Sequence, residues 1–160
     1  MTGVQTCALP IYCTGVALGA HAAFRHLRPG STLVNVGSAS AIFGQPTIAV
    51  YSATKFFVAG LTEALSLEWA KHRIRVIALW PLWAKTGLSD NATAGSIKRL
   101  GIHITPDQVA HRVWQAIHPR NRWQAGKLHY GVSTADTVFY YARRLAPTRV
   151  ARRITQLVAH

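Results

Sequence analysis

Acidic side chains are scarce in this sequence of 160 residues: five Asp and Glu stand against 18 Lys and Arg, for a formal charge of +13. Cysteine is nearly absent as well, with Cys7 and Cys13 at a spacing that makes no metal site and no disulfide framework, consistent with a reducing cytoplasm. The eight histidines are scattered, with no cluster of carboxylates or thiols beside them. Even His111 and His118, which could share a helix face, read as packing or solvent residues rather than metal ligands. No run of about 18 or more apolar residues occurs, which argues against a membrane span. A charged secretory leader is missing too, the first basic residue being Arg25. There is no internal repeat and no low-complexity tract. What is present is 49% apolar content, enough for the core of one domain.

The charge excess invites a polyanion as partner. Yet nine basic residues precede position 100 and nine follow it, and the one cluster is Arg143, Arg144, Arg149, Arg152 and Arg153. No helix-turn-helix, zinc-finger or aromatic RNA-binding signature accompanies it, so no nucleic-acid partner is expected.

The chemistry-bearing pattern is Tyr51-Ser-Ala-Thr-Lys55, with Ser38 thirteen residues earlier. Residues four apart share a helix face. An ammonium beside a phenol favours the phenolate and lowers a pKa that is otherwise about 10. Such a pair can move a proton, and Ser38 can donate a hydrogen bond to an oxygen that gains charge. A Tyr–Lys pair alone is common on solvated helices, and the context gives this one its meaning. Residues 31–38 form a strand-like run into a turn, Gly44 and Pro46 mark a loop, Tyr51 opens a helical stretch to about Trp69, and residues 74–81 form a second strand ending at Pro81. Strand, loop, helix and strand make a parallel βαβ unit whose polar residues gather at the strands' carboxyl ends, where such sheets bind ligands.

Val34-Asn-Val-Gly-Ser38, Gly44, Pro46, Tyr51-Ser-Ala-Thr-Lys55 and Pro81-Leu-Trp-Ala-Lys-Thr86 together resemble the short-chain dehydrogenase/reductase family, in order and in spacing, over roughly residues 13–135. The resemblance implies an α/β fold, the C-terminal part of a Rossmann-type doubly wound parallel sheet. It implies an NAD(P)-dependent oxidoreductase with NAD or NADP as cofactor and a small-molecule carbonyl or alcohol as substrate, in a parent protein that is a homo-oligomer. By that likeness Tyr51 is the general acid/base and Ser38 holds the substrate oxygen. Lys55 tunes the tyrosine and bonds the nicotinamide ribose, while Pro81, Leu82, Trp83 and Thr86 line the carboxamide side. The family has Pro-Gly where this chain has Pro81-Leu82, and leucine lacks the conformational freedom of glycine.

The family's glycine-rich phosphate-binding turn has no counterpart here: after Gly3 no glycine follows until Gly15. That turn brings backbone close to the pyrophosphate at a helix N-terminus. Met1 to Ile11 match, residue for residue, the translation of a common sequencing-adapter strand read from a GTG start. The expectation is therefore adapter-derived sequence over residues 1–11 and a partial NAD(P)-binding domain over 12–160. The same reasoning touches Tyr12, whose codon differs from an Asn codon only in its first base. Tyr12-Cys-Thr-Gly15 stands where the resemblance places an Asn-x-x-Gly helix, whose Asn seats a water-linked relay to the lysine. Asn is the residue expected there in the uninterrupted gene.

Further on, residues 87–104 occupy the place of a substrate-covering segment. Thr105-Pro-Asp-Gln108 has the form of a helix start with Thr as N-cap and Pro in the first turn. Val109, Val113 and Ile117 then form one apolar stripe, which is core. Residues 127–132 suit a last strand. Residues 148–158 form an amphipathic segment expected to pack on the domain or on a subunit, with an anionic membrane surface as the alternative. Two readings of function follow: a dehydrogenase or reductase, or a protein that keeps the fold for binding or regulation without turnover. Retention of Ser38, Tyr51 and Lys55 favours the enzyme.

Overall fold

The structure, a computed structural model, describes residues 7–85 and 103–159, with side chains to residue 157. Thr86, and with it most of the 87–104 segment, lies outside the described residues.

Three parallel strands form the sheet in the order β1-β2-β3: β1 (Thr32–Val36), β2 (Arg75–Trp80) and β3 (His129–Gly131). Thr32 pairs with Arg75 and Val36 with Leu79, while Ala78 pairs with His129. The central strand is apolar at nearly every position because both of its faces are covered. Its side chains alternate between two cores. Val76, Ala78 and Trp80 face α1 (Gly15–Phe24), α2 (Ala49–Glu68) and α5 (Thr134–Leu145), meeting Ala20, Ala59 and Tyr140. Ile77 and Leu79 face α3 (Pro106–Ile117) and meet Val109, Val113 and Ala116. A short α4 (Arg122–Ala125) leads into β3, and α6 (Thr148–Ala159) ends the chain.

Helix α2 is the crossover of the βαβ unit. Buried inside the contact between β1 and α2, the Asn35 amide donates to the Thr62 hydroxyl at 2.9 Å. The helix begins two residues before Tyr51, at Ala49, and has no side-chain cap. Beyond it, Arg73 adopts φ 57° to close the following 3-10 turn. The expected start of α3 is present in full: Thr105 Oγ1 accepts the Gln108 N–H, and Gln108 Oε1 accepts the Thr105 N–H. An equivalent box starts α5, where the buried Asp136 carboxylate accepts the N–H groups of Val132 and Ser133 and the Ser133 hydroxyl. This clamp draws α5 onto β3, and Gly131 makes it possible. A Cβ at Gly131 would lie 2.7 Å from Thr137 Oγ1 and 2.9 Å from Asp136 Cβ. The last strand is shorter than the sequence pattern suggests, because β3 pairs only with Ala78–Trp80. Among the described residues no helix is long and apolar enough to cross a membrane.

Candidate active site

Ser38 leaves the carboxyl end of β1 after Gly37, whose N–H bonds the Leu79 carbonyl at 2.8 Å. A side chain at position 37 would meet Trp80 Cδ1 at 2.9 Å, so glycine lets the ends of β1 and β2 close on each other. Ser38 is extended and caps a 3-10 turn (Ala39–Ala41), its Oγ accepting the Ser40 N–H at 3.1 Å. Tyr51 lies in the first turn of α2 and Lys55 one turn later, so the helix delivers both to the end of β1. The Ser38 side chain is near enough to the phenol to oppose the effect of burial on it. The Lys55 ammonium reaches the Val36 carbonyl at 3.4 Å and lies 5.4 Å from the centre of the Tyr51 ring. The turn after β1 thus brings Ser38, thirteen residues before Tyr51, to the Tyr51–Lys55 pair at the end of that strand.

Behind Ser38 stands a buried polar network that the sequence pattern alone does not reveal. Ser38 Oγ donates to Ser40 Oγ at 3.2 Å, and the Gln45 amide donates to the same Ser40 oxygen at 3.1 Å. Ser52, next to Tyr51, donates to the carbonyls of Ser40 and Phe43 and accepts the Gln45 N–H. The loop from Ser38 to Gln45 is thus tied to α2 from within. The connection to α2 passes through Thr47 at φ 67°, a left-handed conformation that costs a β-branched residue roughly 1–3 kcal/mol.

Tyr12, at the position where the resemblance places the relay Asn, is a further neighbour. Its ring centre lies 4.2 Å from the Lys55 ammonium, and its ring meets that of Tyr51 edge-on at 5.5 Å. As tyrosine, position 12 thus covers one side of the lysine.

The electrostatics differ from the simple picture of an ammonium lowering a phenol. Burial pushes the Tyr51 phenol up to about 12, with the Ser38 side chain opposing and Tyr12 adding to the rise. Burial also pulls Lys55 down to about 8. Both groups pay for desolvation, and the ammonium is spent on a backbone carbonyl rather than on the phenol.

Pro81 and Leu82 follow β2 at the same end of the sheet. The Pro81 carbonyl accepts the Ala39 N–H at 2.9 Å, and Leu82 packs on the cluster around Ala41 and Trp80. Leu82 and Trp83 also line a cavity of about 780 Å³ with Asp107, His111 and Arg112 of α3. Ser38, Tyr51 and Lys55 do not line it, so the candidate site rests on their chemistry and not on the volume of that cavity.

A parallel βαβ unit with a serine, a tyrosine and a lysine converging at its strands' carboxyl ends defines a Rossmann-type α/β protein with a candidate site where such sheets bind ligands. The family model described as short chain dehydrogenase matches residues 8–96, more than half of the chain, and the chain belongs to that family. It is 32% identical over 103 residues to the short-chain dehydrogenase anuF of Penicillium roqueforti, covering 59% of this chain and 37% of that protein. It is 34% identical over 113 residues to the cis-4-hydroxycyclohexanecarboxylate dehydrogenase of Sinomonas cyclohexanicum, covering 66% and 45%. Among solved structures, the 3-ketoacyl-(acyl-carrier-protein) reductase of Brucella melitensis complexed with NADH aligns with a TM-score of 0.53 and 30% identity, over 63% of this chain and 42% of that one. A short chain dehydrogenase of Burkholderia cenocepacia in complex with NADP shares the fold with a TM-score of 0.63 and 20% identity, over 81% and 49%. The chain spans less than half the length of each of these four proteins.

Proposed function

We propose that this segment carries the proton-transfer machinery of an NAD(P)-dependent oxidoreductase that interconverts a small-molecule carbonyl and its secondary alcohol. The observation that supports it is the meeting of Ser38, Tyr51 and Lys55 at the end of β1. Among the described residues the buried Lys55 ammonium makes one long carbonyl hydrogen bond and otherwise faces the Tyr12 and Tyr51 rings. It therefore keeps donors for a ligand, and ribose hydroxyls are acceptors of the right kind. Pro81, Leu82 and Trp83, with Thr86 by resemblance, would line the carboxamide side. NADH and NADP accompany the two structural relatives named above, and either cofactor suits the proposal. When bound, the nicotinamide supplies or accepts the hydride.

In the reductive direction the substrate oxygen gains charge, and Tyr51 gives it the phenolic proton. In the oxidative direction the Tyr51 oxygen takes the alcohol's proton. Ser38 turns its hydroxyl from Ser40 to the same substrate oxygen and holds it. The phenol, pushed up to about 12, is the proton donor at neutral pH, which suits carbonyl reduction. Lys55, pulled down to about 8, is charged below that pH and offsets the phenolate as it forms.

Pyrophosphate binding needs the glycine-rich turn that these 160 residues lack. The chain by itself should show no turnover and only weak NAD(P) binding, and saturable low-micromolar binding by calorimetry overturns this. In a chain extended upstream to include that turn, Tyr51→Phe should abolish turnover and spare cofactor binding, while Lys55→Ala harms both. If Tyr51→Phe keeps more than about a tenth of the activity, a barrier change under roughly 1.4 kcal/mol, Tyr51 is not the acid/base.

A further inference from the structure

We infer that the last two helices, α5 and α6, each present a basic amphipathic side that seats on an anionic lipid bilayer. No acidic residue follows Asp136, while Arg143, Arg144, Arg149, Arg152 and Arg153 do. In α6, Ala151 is fully buried, and Ile154 and Thr155 are half-buried, so that side rests on the domain. Val150 and Leu157 form the other edge of the apolar stripe and are exposed, Leu157 at 64%. Arg149, Arg152 and Arg153 flank that edge and are exposed as well. No carboxylate among the described residues forms a salt bridge with them. Helix α5 repeats the arrangement. Phe139 and Tyr140 pack inward on Phe43 and Trp80 at ring distances of 5.3 and 4.8 Å. Val138, Tyr141 and Leu145, at i, i+3 and i+7, point outward, Leu145 with 81% of its surface exposed.

An inward side, an outward aliphatic stripe and flanking arginines are what an interfacial helix needs: stripe into the acyl boundary, charge onto anionic headgroups. A nucleic acid would use the arginines and leave the aliphatic stripe without a partner. A second copy of the chain seated on the same face would bring two sets of arginines together, a like-charge contact that disfavours the pairing. The bilayer is the occupant that satisfies both features, and this inference stands apart from the catalytic reading.

The test is co-sedimentation of the 160-residue chain with vesicles of phosphatidylcholine alone or with about one third phosphatidylglycerol. Binding should require the anionic lipid and weaken as salt rises. With each arginine near the surface contributing about fivefold, R149Q/R152Q/R153Q should bind on the order of a hundredfold more weakly. V150S/L157S, at unchanged charge, should lose about tenfold. R25Q/R28Q/K71Q removes the same charge from exposed positions outside α5 and α6 and should change binding less than about threefold. All these positions are exposed, and circular dichroism checks that each variant keeps its helices. Three results overturn the inference: equal losses from the two charge triples, unchanged vesicle binding by V150S/L157S, or a concentration-dependent dimer that V150S/L157S dissolves. The last result would make a second copy the occupant. An RNA oligomer that binds with the same dependence on Val150 and Leu157 would likewise displace the bilayer.

Discussion

Replacing Lys55 by Met tests the electrostatics of the candidate site in a single equilibrium measurement. Lys55 is 5% exposed, and its ammonium meets the Val36 carbonyl and the faces of two aromatic rings. Burial lowers its pKa from 10.5 to about 8. In the unfolded chain the lysine stays charged up to about 10.5, so between pH 8 and 10.5 the unfolded state binds more protons than the folded one. Stability of the unaltered chain therefore rises with pH through that window and is lowest below pH 8. The difference corresponds to about 3 kcal/mol, each pKa unit being worth roughly 1.4 kcal/mol. Methionine has no such titration and fills a similar volume. As pH falls from 10 to 7, the stability of Lys55→Met relative to the parent should shift in the variant's favour by about 2.5 kcal/mol, whatever the offset from the lost hydrogen bond. Urea unfolding followed by circular dichroism at intervals from pH 7 to 10 measures it. Stability curves that run parallel across this range refute the reasoning. They would mean that the Tyr12 and Tyr51 rings return to the ammonium what burial removes, as cation–π attraction of up to about 2 kcal/mol can begin to do.

Three further outcomes are expected. Gly131→Ala should destabilise the chain by about 1–3 kcal/mol, since its Cβ meets the Thr137 backbone nitrogen as well as side-chain atoms within 3 Å; an unchanged urea midpoint contradicts the docking of α5 on β3. Asp136→Ala should cost about 3 kcal/mol in the same assay, because three donors lose their acceptor at a position that is 1% exposed; a loss below about 1 kcal/mol would show that water reaches them. Tyr12→Asn should lower the Tyr51 pKa from about 12, read by NMR titration of ring-labelled tyrosine, and an unmoved titration removes Tyr12 from the site. For that position the genomic codon is expected to be Asn.

Much of this could be read in the sequence because the signals are local. Helical spacing alone puts Tyr51 and Lys55 on one face, and the Thr105–Gln108 box announces α3 with its own side chains. The start of α2 is displaced by two residues because Ile48 offers no capping group to mark it. Helix α5 goes unread although Ser133 and Asp136 carry the same capping logic as α3, since its outward stripe blurs the distinction between a core face and a solvent face. The direction of the Tyr51 shift is a tertiary property. It depends on how much water the fold removes, and residue spacing carries no measure of that. The Ser40–Gln45–Ser52 network is hidden for the same reason, because serine and glutamine are ordinary loop residues until folding buries them.

The loop after β1 divides into two populations. Ser40 and Gln45 face inward and, with Ser52 of α2, bond one another or nearby backbone, whereas Gly44 and Pro46 are exposed. Substitutions can accumulate on the outer positions without disturbing the hydroxyl that Ser38 presents. The rim beside the candidate site is thus mutationally decoupled from its floor. A lineage can drift at this edge while the Ser38 hydroxyl keeps its place, so the surface there can change in shape and polarity without the buried network changing with it.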